Sequence, residues 1–478
     1  SPRSDYRRYT VNGSINTQIT NWLKVGFSFA AGHTEREGGS SLNMPKVIAL
    51  PLYSPTYEDG RRKNYIPGIT SRSAGFYHPD YYAETHPTES FNDDFLPSGF
   101  ISIEPIKNLI FKTQGGVQYG YGESEQRELP SFIDYKFYDD PNPYTFVSNS
   151  RTLRKTLTNT LEYRFLLGEA KKHSFNVLLG QESVENSSKQ LDVATYGQPA
   201  EGLTMLRHGS KNKRIEDQKT VSTFNSYFGR LEYSYNTRYF VDLSVRRDGS
   251  SAFGKNNHYG NFWAIGAMWK LKQENFLKDV KWLSDLNLRF STGLSGNALG
   301  GYKHITTVKP DNFYQGKTAY TVGTLGNPDL RWEEQRKTTV GLNIVIDRGT
   351  SFNIEYYDRE TYDMISSREL NSTSGQVQFY DNAGGMRNRG VDFTFSSVVY
   401  RSKNQDLSIR PYFNVNYNKQ EVTALFGNKT SNVIPSSEIG YKLGRALEWA
   451  AVIPKGVNPD TGQMEYYIPG DDRMEQVT

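Results

Sequence analysis

The feature that most constrains this chain is a two-residue rhythm sustained for longer than soluble strands sustain it. In 285–295, Leu286, Leu288 and Phe290 alternate with Asn287, Arg289 and Ser291. In 239–246, Tyr239, Val241, Leu243 and Val245 alternate with Phe240, Asp242, Ser244 and Arg246. Successive side chains of a strand point to opposite faces, so the rhythm predicts strands with one apolar and one polar face. Fourteen segments show it: 9–19, 22–32, 98–104, 109–121, 155–167, 173–183, 223–235, 238–248, 261–271, 285–295, 336–347, 350–361, 389–401 and 406–419. Soluble strands average about 5–6 residues, and tilted membrane-crossing strands need about 9–11. The lengths favour the membrane.

The connections alternate between short and long. Short ones fall near 20–21, 105–108, 168–172, 236–237, 348–349 and 402–405; long ones at 33–97, 122–154, 184–222, 296–335, 362–388 and 420–478. The connection at 249–260 is intermediate, and 272–284 is longer than its place in the series predicts, with Gln273–Asp279 fitting a helical turn. Outer-membrane barrels pair short periplasmic turns with long extracellular loops. The expected fold is therefore all-β, a transmembrane antiparallel β-barrel, with about 14 strands over a single barrel domain at 1–478. The polar faces would line a wet lumen, since turning Arg289 toward lipid costs about 2–4 kcal/mol near the midplane. Tyr119, Tyr121, Tyr233, Tyr235, Trp263 and Trp269 fit interfacial girdles. In a soluble sheet, β-propensity would enrich the same rings.

Composition narrows the field further. Hydrophobic residues make up only 36%, too few aliphatics for a large dry core, yet aromatics reach 14%, with 33 Tyr and 26 Phe, unlike a disordered chain. No apolar run approaches the ~18–20 residues of a membrane helix. Cysteine is absent, which excludes disulfides, thiolate metal sites and a Cys nucleophile. A net charge of +4 over 478 residues predicts neither nucleic-acid nor polyanion binding. No repeat of propeller or solenoid period is present. No signal segment follows Ser1, as expected of a mature chain or a fragment.

Catalytic patterns are missing. His33, His78, His86, His173, His208, His258 and His304 are scattered without HExxH spacing, and no GxSxG elbow exists. Gly316-Lys317-Thr318 resembles the end of a phosphate loop, but Asp311 stands where the leading glycine belongs. Ser210 and Lys213 fit S-x-x-K in a basic polar loop. Asp93–Asp94 and Asp471–Asp472 suit solvated turns better than calcium sites, so no catalytic residue, metal or cofactor is assigned. The long segments instead hold tyrosines among prolines. Tyr53, Tyr57, Tyr81 and Tyr82 in 33–97, and Tyr135 and Tyr138 in 122–154, are candidate substrate or partner contacts. A flat apolar ring with a hydroxyl suits sugars and peptide backbones. The plain alternative is that these rings pack loops on one another or on a partner.

Four motifs carry a family resemblance: Arg246-Arg247-Asp248-Gly249-Ser250-Ser251-Ala252-Phe253-Gly254, Asn327-Pro328-Asp329-Leu330-Arg331-Trp332-Glu333, Met386-Arg387-Asn388-Arg389-Gly390-Val391-Asp392 and Gly456-Val457-Asn458-Pro459-Asp460-Thr461-Gly462. Singly, each is turn chemistry. In this order the chain resembles the barrel region of SusC/RagA-type TonB-dependent transporters of the Bacteroidetes outer membrane. Ala252 departs from the basic residue frequent there. The resemblance implies a plugged barrel of about 22 strands, with the plug, the TonB box and further strands outside this sequence. It also implies a SusD-like surface lipoprotein over the loops, TonB–ExbB–ExbD as energy source, contact with lipid and lipopolysaccharide, and oligosaccharide or peptide cargo, with no enzymatic step and no nucleic acid. A passive porin or adhesin barrel shares the strand pattern. A secreted carbohydrate-active enzyme would need a carboxylate pair about 5–9.5 Å apart.

Overall fold

The computed structural model describes residues 5–39, 58, 79–132, 142–168, 170–298, 300–314, 317–346, 349–370, 378–402, 404, 406–425, 431–433, 439–442, 448–449, 453–457 and 464–467. In chain order these form β1 (Asp5–Thr20), β2 (Leu23–Gly39), the short helix α1 (Pro79–Thr85), β3 (Pro87–Phe95), β4 (Ser98–Ile106), β5 (Leu109–Arg127), β6 (Tyr144–Leu167) and β7 (His173–Tyr196). Then follow β8 (Lys211–Tyr235), β9 (Tyr239–Ser250), β10 (Tyr259–Lys270), β11 (Leu283–Asn297), β12 (Thr307–Tyr314) and β13 (Lys317–Thr324). β14 (Glu333–Ile346), β15 (Thr350–Glu369), β16 (Gln378–Ser396), β17 (Tyr400–Arg401), β18 (Ser408–Ile409) and β19 (Tyr412–Ala424) complete the main series, and short strands lie between 431 and 467.

Fifteen of these strands make one antiparallel sheet in the order β1-β2-β3-β5-β6-β7-β8-β9-β10-β11-β14-β15-β16-β19, with β4 pairing β2 and β5. Apart from the β3/β4 split and the small β12–β13 and β17–β18 ladders, which pair separately, each strand lies beside its sequence neighbour, the meander of an up-and-down barrel wall. β3 and β4 are one path interrupted at Pro97, which has no N–H to give the ladder. Leu96 still exchanges backbone bonds with Ala30 at 2.8 and 3.3 Å, and Pro97 accepts from Val117 N–H at 2.9 Å. All fourteen rhythmic segments lie within or overlap these paths.

The chain divides into two compact units, Ser1–Thr160 with Glu182–Thr223, and Leu161–Gln181 with Phe224–Thr478. In the first, Ile15 pairs with Phe27, Val25 with Ile101 and Ile103 with Phe111, an apolar face. The opposite face carries Lys24, Ser28, Ser98 and Lys112, with Ser28 and Ser98 hydroxyls 2.8 Å apart. In the second, an apolar row runs Ala267–Phe290–Val340–Tyr356–Val391–Tyr417 across six strands. One residue along, Arg289–Gly341–Glu355–Asp392–Asn416 runs across the other face. Phe290, Val340, Tyr356, Val391 and Tyr417 are all exposed. So long an apolar stripe left uncovered is a membrane face rather than a water face. Tyr235, Tyr239 and Trp269 stack along its margin at 6.2 and 6.1 Å.

The strands differ from expectation mainly at their ends. β5 reaches Arg127, β6 starts at Tyr144, β7 reaches Tyr196 and β8 starts at Lys211, well inside the 122–154 and 184–222 connections. Apolar alternation stops where lipid stops, but the backbone ladder continues with polar side chains on both faces. β3, α1 and the β12–β13 hairpin likewise lie in segments expected to be loops. Two boundaries are corrected: 389–401 is β16 ending at Ser396, and 406–419 is β19 starting at Tyr412. The alternation between them belongs to the small β17–β18 ladder that carries the turn. At 272–284, a 3₁₀ turn at Leu271–Gln273 precedes one α-type bond, Lys278 N–H to Glu274 O at 2.8 Å. The 236–237 turn has φ of 50° at Asn236 and 54° at Thr237, the type I′ geometry that matches strand twist.

Candidate functional site

The polar face of the second unit bears a groove of about 650 Å³ lined by Asn176, Glu232, Asp242, Arg289, Thr339 and Glu355, among others. Strand alternation puts these residues on one side, and cross-strand ion pairing holds them. Arg230 bonds Glu232 and Asp242 at 2.6 Å each, Asn176 donates to Glu232 at 2.9 Å, and Arg289 donates to Asn353 at 2.7 Å. Gly341 leaves space beside the Arg289 guanidinium, which a Cβ would meet at 3.3 Å. Thr339 is 8% exposed and its hydroxyl has no partner among the described residues. Such a wall suits hydrated solutes; it presents hydrogen-bonding groups of both kinds and no activated nucleophile.

At the ends of these strands the first two sequence motifs meet. Phe253 and Leu330, 0% and 1% exposed, pack with Ala252, Phe262 and Trp332 in a dry cluster. The Trp332 ring lies 4.9 Å from Phe253 and meets Phe262 edge-on at 5.5 Å. Ala252, the departure from the family pattern, is part of this cluster, where a charged side chain would be unsolvated. Gly254 is required because a Cβ there would lie 2.2 Å from Pro328 O. Two asparagines tie the loop to β16. Asn327 Nδ2 donates to Tyr380 O at 2.9 Å. Asn382 Oδ1 accepts Arg331 N–H at 2.8 Å while its Nδ2 donates to Arg331 O at 2.9 Å, so one side-chain amide pairs the loop as a strand would. Gly390, from the third motif, sits under Tyr357, whose hydroxyl would be 2.4 Å from a Cβ. Arg387 pairs with Asp358, and Arg389 with Glu421 at 2.7 Å. Of the fourth motif only Gly456 and Val457 lie among the described residues, ending a short strand.

The six candidate tyrosines are distributed unevenly. Tyr53, Tyr57, Tyr135 and Tyr138 lie outside the described residues, and of Tyr82 only the backbone, in α1, is described. Tyr81 is turned toward the chain: its hydroxyl donates to Ser131 O at 3.0 Å and its ring centroid is 6.0 Å from that of Phe132. His86 meets Phe132 edge-on at 4.5 Å and lies 3.3 Å from Glu128. Asp93 and Asp94 fall in β3 rather than in a turn, on opposite faces, Asp93 beside His33 Nδ1 at 2.6 Å, so they cannot chelate one ion together. Asp471–Asp472 and Gly316 lie outside the described residues; Lys317 and Lys211 open strands β13 and β8.

One site in the first unit had no sequence signature. Thr145, 0% exposed, donates to Thr204 O. Gln198, 3% exposed, donates to Thr145 Oγ1 at 3.2 Å and Thr195 O at 3.1 Å, and Thr195 Oγ1 donates to Leu206 O at 2.8 Å. This polar knot fastens the 197–210 connection. Isolated Thr and Gln residues in a polar loop carry no pattern by which to predict it.

The fold and its two-faced wall define an antiparallel outer-membrane β-barrel. Residues 52–473 match the family described as TonB dependent receptor-like, beta-barrel. The TonB-dependent receptor SusC of Bacteroides thetaiotaomicron is 30% identical over 92% of this chain and 46% of its own length. TonB-dependent receptor P39 of Formosa agariphila is 32% identical over 88% of this chain and 40% of its own. The RagAB peptide importer in its closed-closed state aligns with a TM-score of 0.84 and 28% identity over 98% of this chain and 52% of that one. The chain belongs to the TonB-dependent receptor β-barrel family and is an outer-membrane protein. It spans about half the length, or less, of the relatives it matches.

Proposed function

We propose that this chain is part of the wall of an importer driven through TonB, which carries large polar nutrients, oligosaccharides or peptides, across the outer membrane. A SusD-type surface lipoprotein over the long connections would hold cargo against the mouth, and no covalent bond would be made or broken. The likeness to the RagAB peptide importer along 98% of the chain carries the reading; the similarity to SusC and the hydrogen-bonding wall of the groove support it. Cargo contact by Tyr53, Tyr57, Tyr81, Tyr82, Tyr135 or Tyr138 is part of the proposal, as is the absence of a resident cofactor or metal. The test is uptake of fluorescent peptides and oligosaccharides by cells carrying the full-length gene, a deletion of it, or a deletion of tonB. The proposal expects loss of uptake in both deletions. Uptake that survives loss of TonB would identify a passive pore instead.

A further inference from the structure

The connection between β10 and β11 contrasts with the tight turns on its side of the sheet, such as 236–238. It is longer, and it is built rather than loose. Lys272 Nζ donates to three carbonyls, Leu277 O at 2.9 Å, Lys278 O at 3.0 Å and Val280 O at 2.6 Å. Glu274 accepts from Tyr239 Oη at 2.6 Å, Trp269 Nε1 at 3.0 Å and Arg238 Nη1 at 3.0 Å. These bonds hold a knob whose outer surface shows Phe276, 68% exposed, Trp282, 61% exposed, and the exposed side chains of Lys278 and Lys281.

We propose that this knob is a foot that seats in the headgroup layer of the periplasmic leaflet and binds anionic phospholipid. The inference rests on the membrane-spanning reading of the strands and not on what is transported. Three observations carry it. The knob is continuous with the aromatic margin of the apolar face, because Glu274 is bonded directly to Tyr239 and Trp269, two of its stacked rings. Beside the exposed Asp279, its exposed groups include the chemistries that the headgroup layer takes up, an apolar ring and an amphipathic indole beside cations that reach phosphate. Its scale also argues against a protein partner, since one connection offers far less than the roughly 800 Å² per side of a stable protein interface.

The test places a nitroxide on the full-length protein in nanodiscs. The chain has no cysteine, so Phe276→Cys and Trp282→Cys give defined labels once any cysteine elsewhere is removed. Lys171→Cys, in the 168–172 turn, is the aqueous control. In discs of phosphatidylcholine with phosphatidylglycerol, collisions with a water-soluble nickel chelate should be about threefold rarer at 276 and 282 than at 171. The protection should weaken in pure phosphatidylcholine and in Lys278→Gln/Lys281→Gln. Equal accessibility at all three positions would overturn the proposal. So would protection that arises only when periplasmic extract is added, which would mark a protein partner. The heat-dependent electrophoretic shift of a folded barrel, scored in the same samples, separates loss of the foot from failure of the membrane reading.

Discussion

Two connections are fastened to strand ends by opposite means. The Asn327–Trp332 loop is held by a dry cluster in which Phe253 and Leu330 are sealed from solvent. The 197–210 connection is held by hydroxyl and amide groups, with Thr145 and Gln198 equally sealed. Apolar packing gains with every square ångström removed from water. A buried polar knot returns little net energy, but it penalises any other arrangement, because each group left unpaired costs about 1–3 kcal/mol. The first device supplies stability and the second supplies uniqueness of conformation.

The largest effect should come from the dry side. Phe253→Ala or Trp332→Ala should destabilise by about 3–5 kcal/mol, read as unfolding of the full-length receptor in detergent. A loss below that of Gln198→Ala would reverse the comparison. The contrast between dry and wet extends to the two sheet faces. Arginine at Leu288 or Ile344 should impair assembly by about 2–4 kcal/mol near the midplane, whereas arginine at Ser291 or Asn343 should insert normally. Equal heat-shift yields for both sets would contradict the register in which Leu288 faces Leu342 and Ser291 faces Thr339. On the wet side, Gln198→Leu should cost about 1–3 kcal/mol by orphaning Thr145 and Thr195 partners, and limited proteolysis should then cut within 197–210. A smaller effect of opposite sign is expected at Thr237. A β-branched residue at φ 54° is strained, so Thr237→Gly should raise stability by about 1 kcal/mol.

The last prediction concerns pH. The hydroxyl of Tyr239, then the indole N–H of Trp269, with Arg238 close by, hold the Glu274 carboxyl below its ordinary range. The stabilisation is therefore complete above the usual glutamate pKa of about 4.3 and is lost as pH falls through the depressed folded value. Melting temperatures of wild type and Glu274→Gln should differ at neutral pH and converge on acidification. A gap that widens in acid would refute the assignment.

The barrel was legible because lipid enforces alternation: every membrane-crossing stretch from Leu286–Phe290 to Phe413–Tyr417 reads out its own two faces. The motifs around Phe253, Trp332 and Gly390 were legible as turns, but the meeting of the first two in one cluster depends on strand register, which local spacing does not encode. The strand ends beyond lipid were not legible, since in 211–222 polar residues dominate both faces, with only Ile215 and Val221 apolar, and no alternation marks the strand. The Gln198 knot and the reciprocal amide of Asn382 were hidden for a related reason. They pair side chains largely with backbone, and a backbone partner leaves no trace in residue type.

The long ladders also decide how this surface meets attack from outside the cell. β6 and β7 run 24 residues each and β8 runs 25, more than twice the 9–11 or so that hydrocarbon demands. A protease binds its target as an unpaired extended chain, and here β7 leaves the lipid still flanked in the sheet by β6 and β8. The first scissile bonds therefore lie beyond the paired ladders, in the connections, where a cut severs the chain but leaves the wall and its neighbours stitched together.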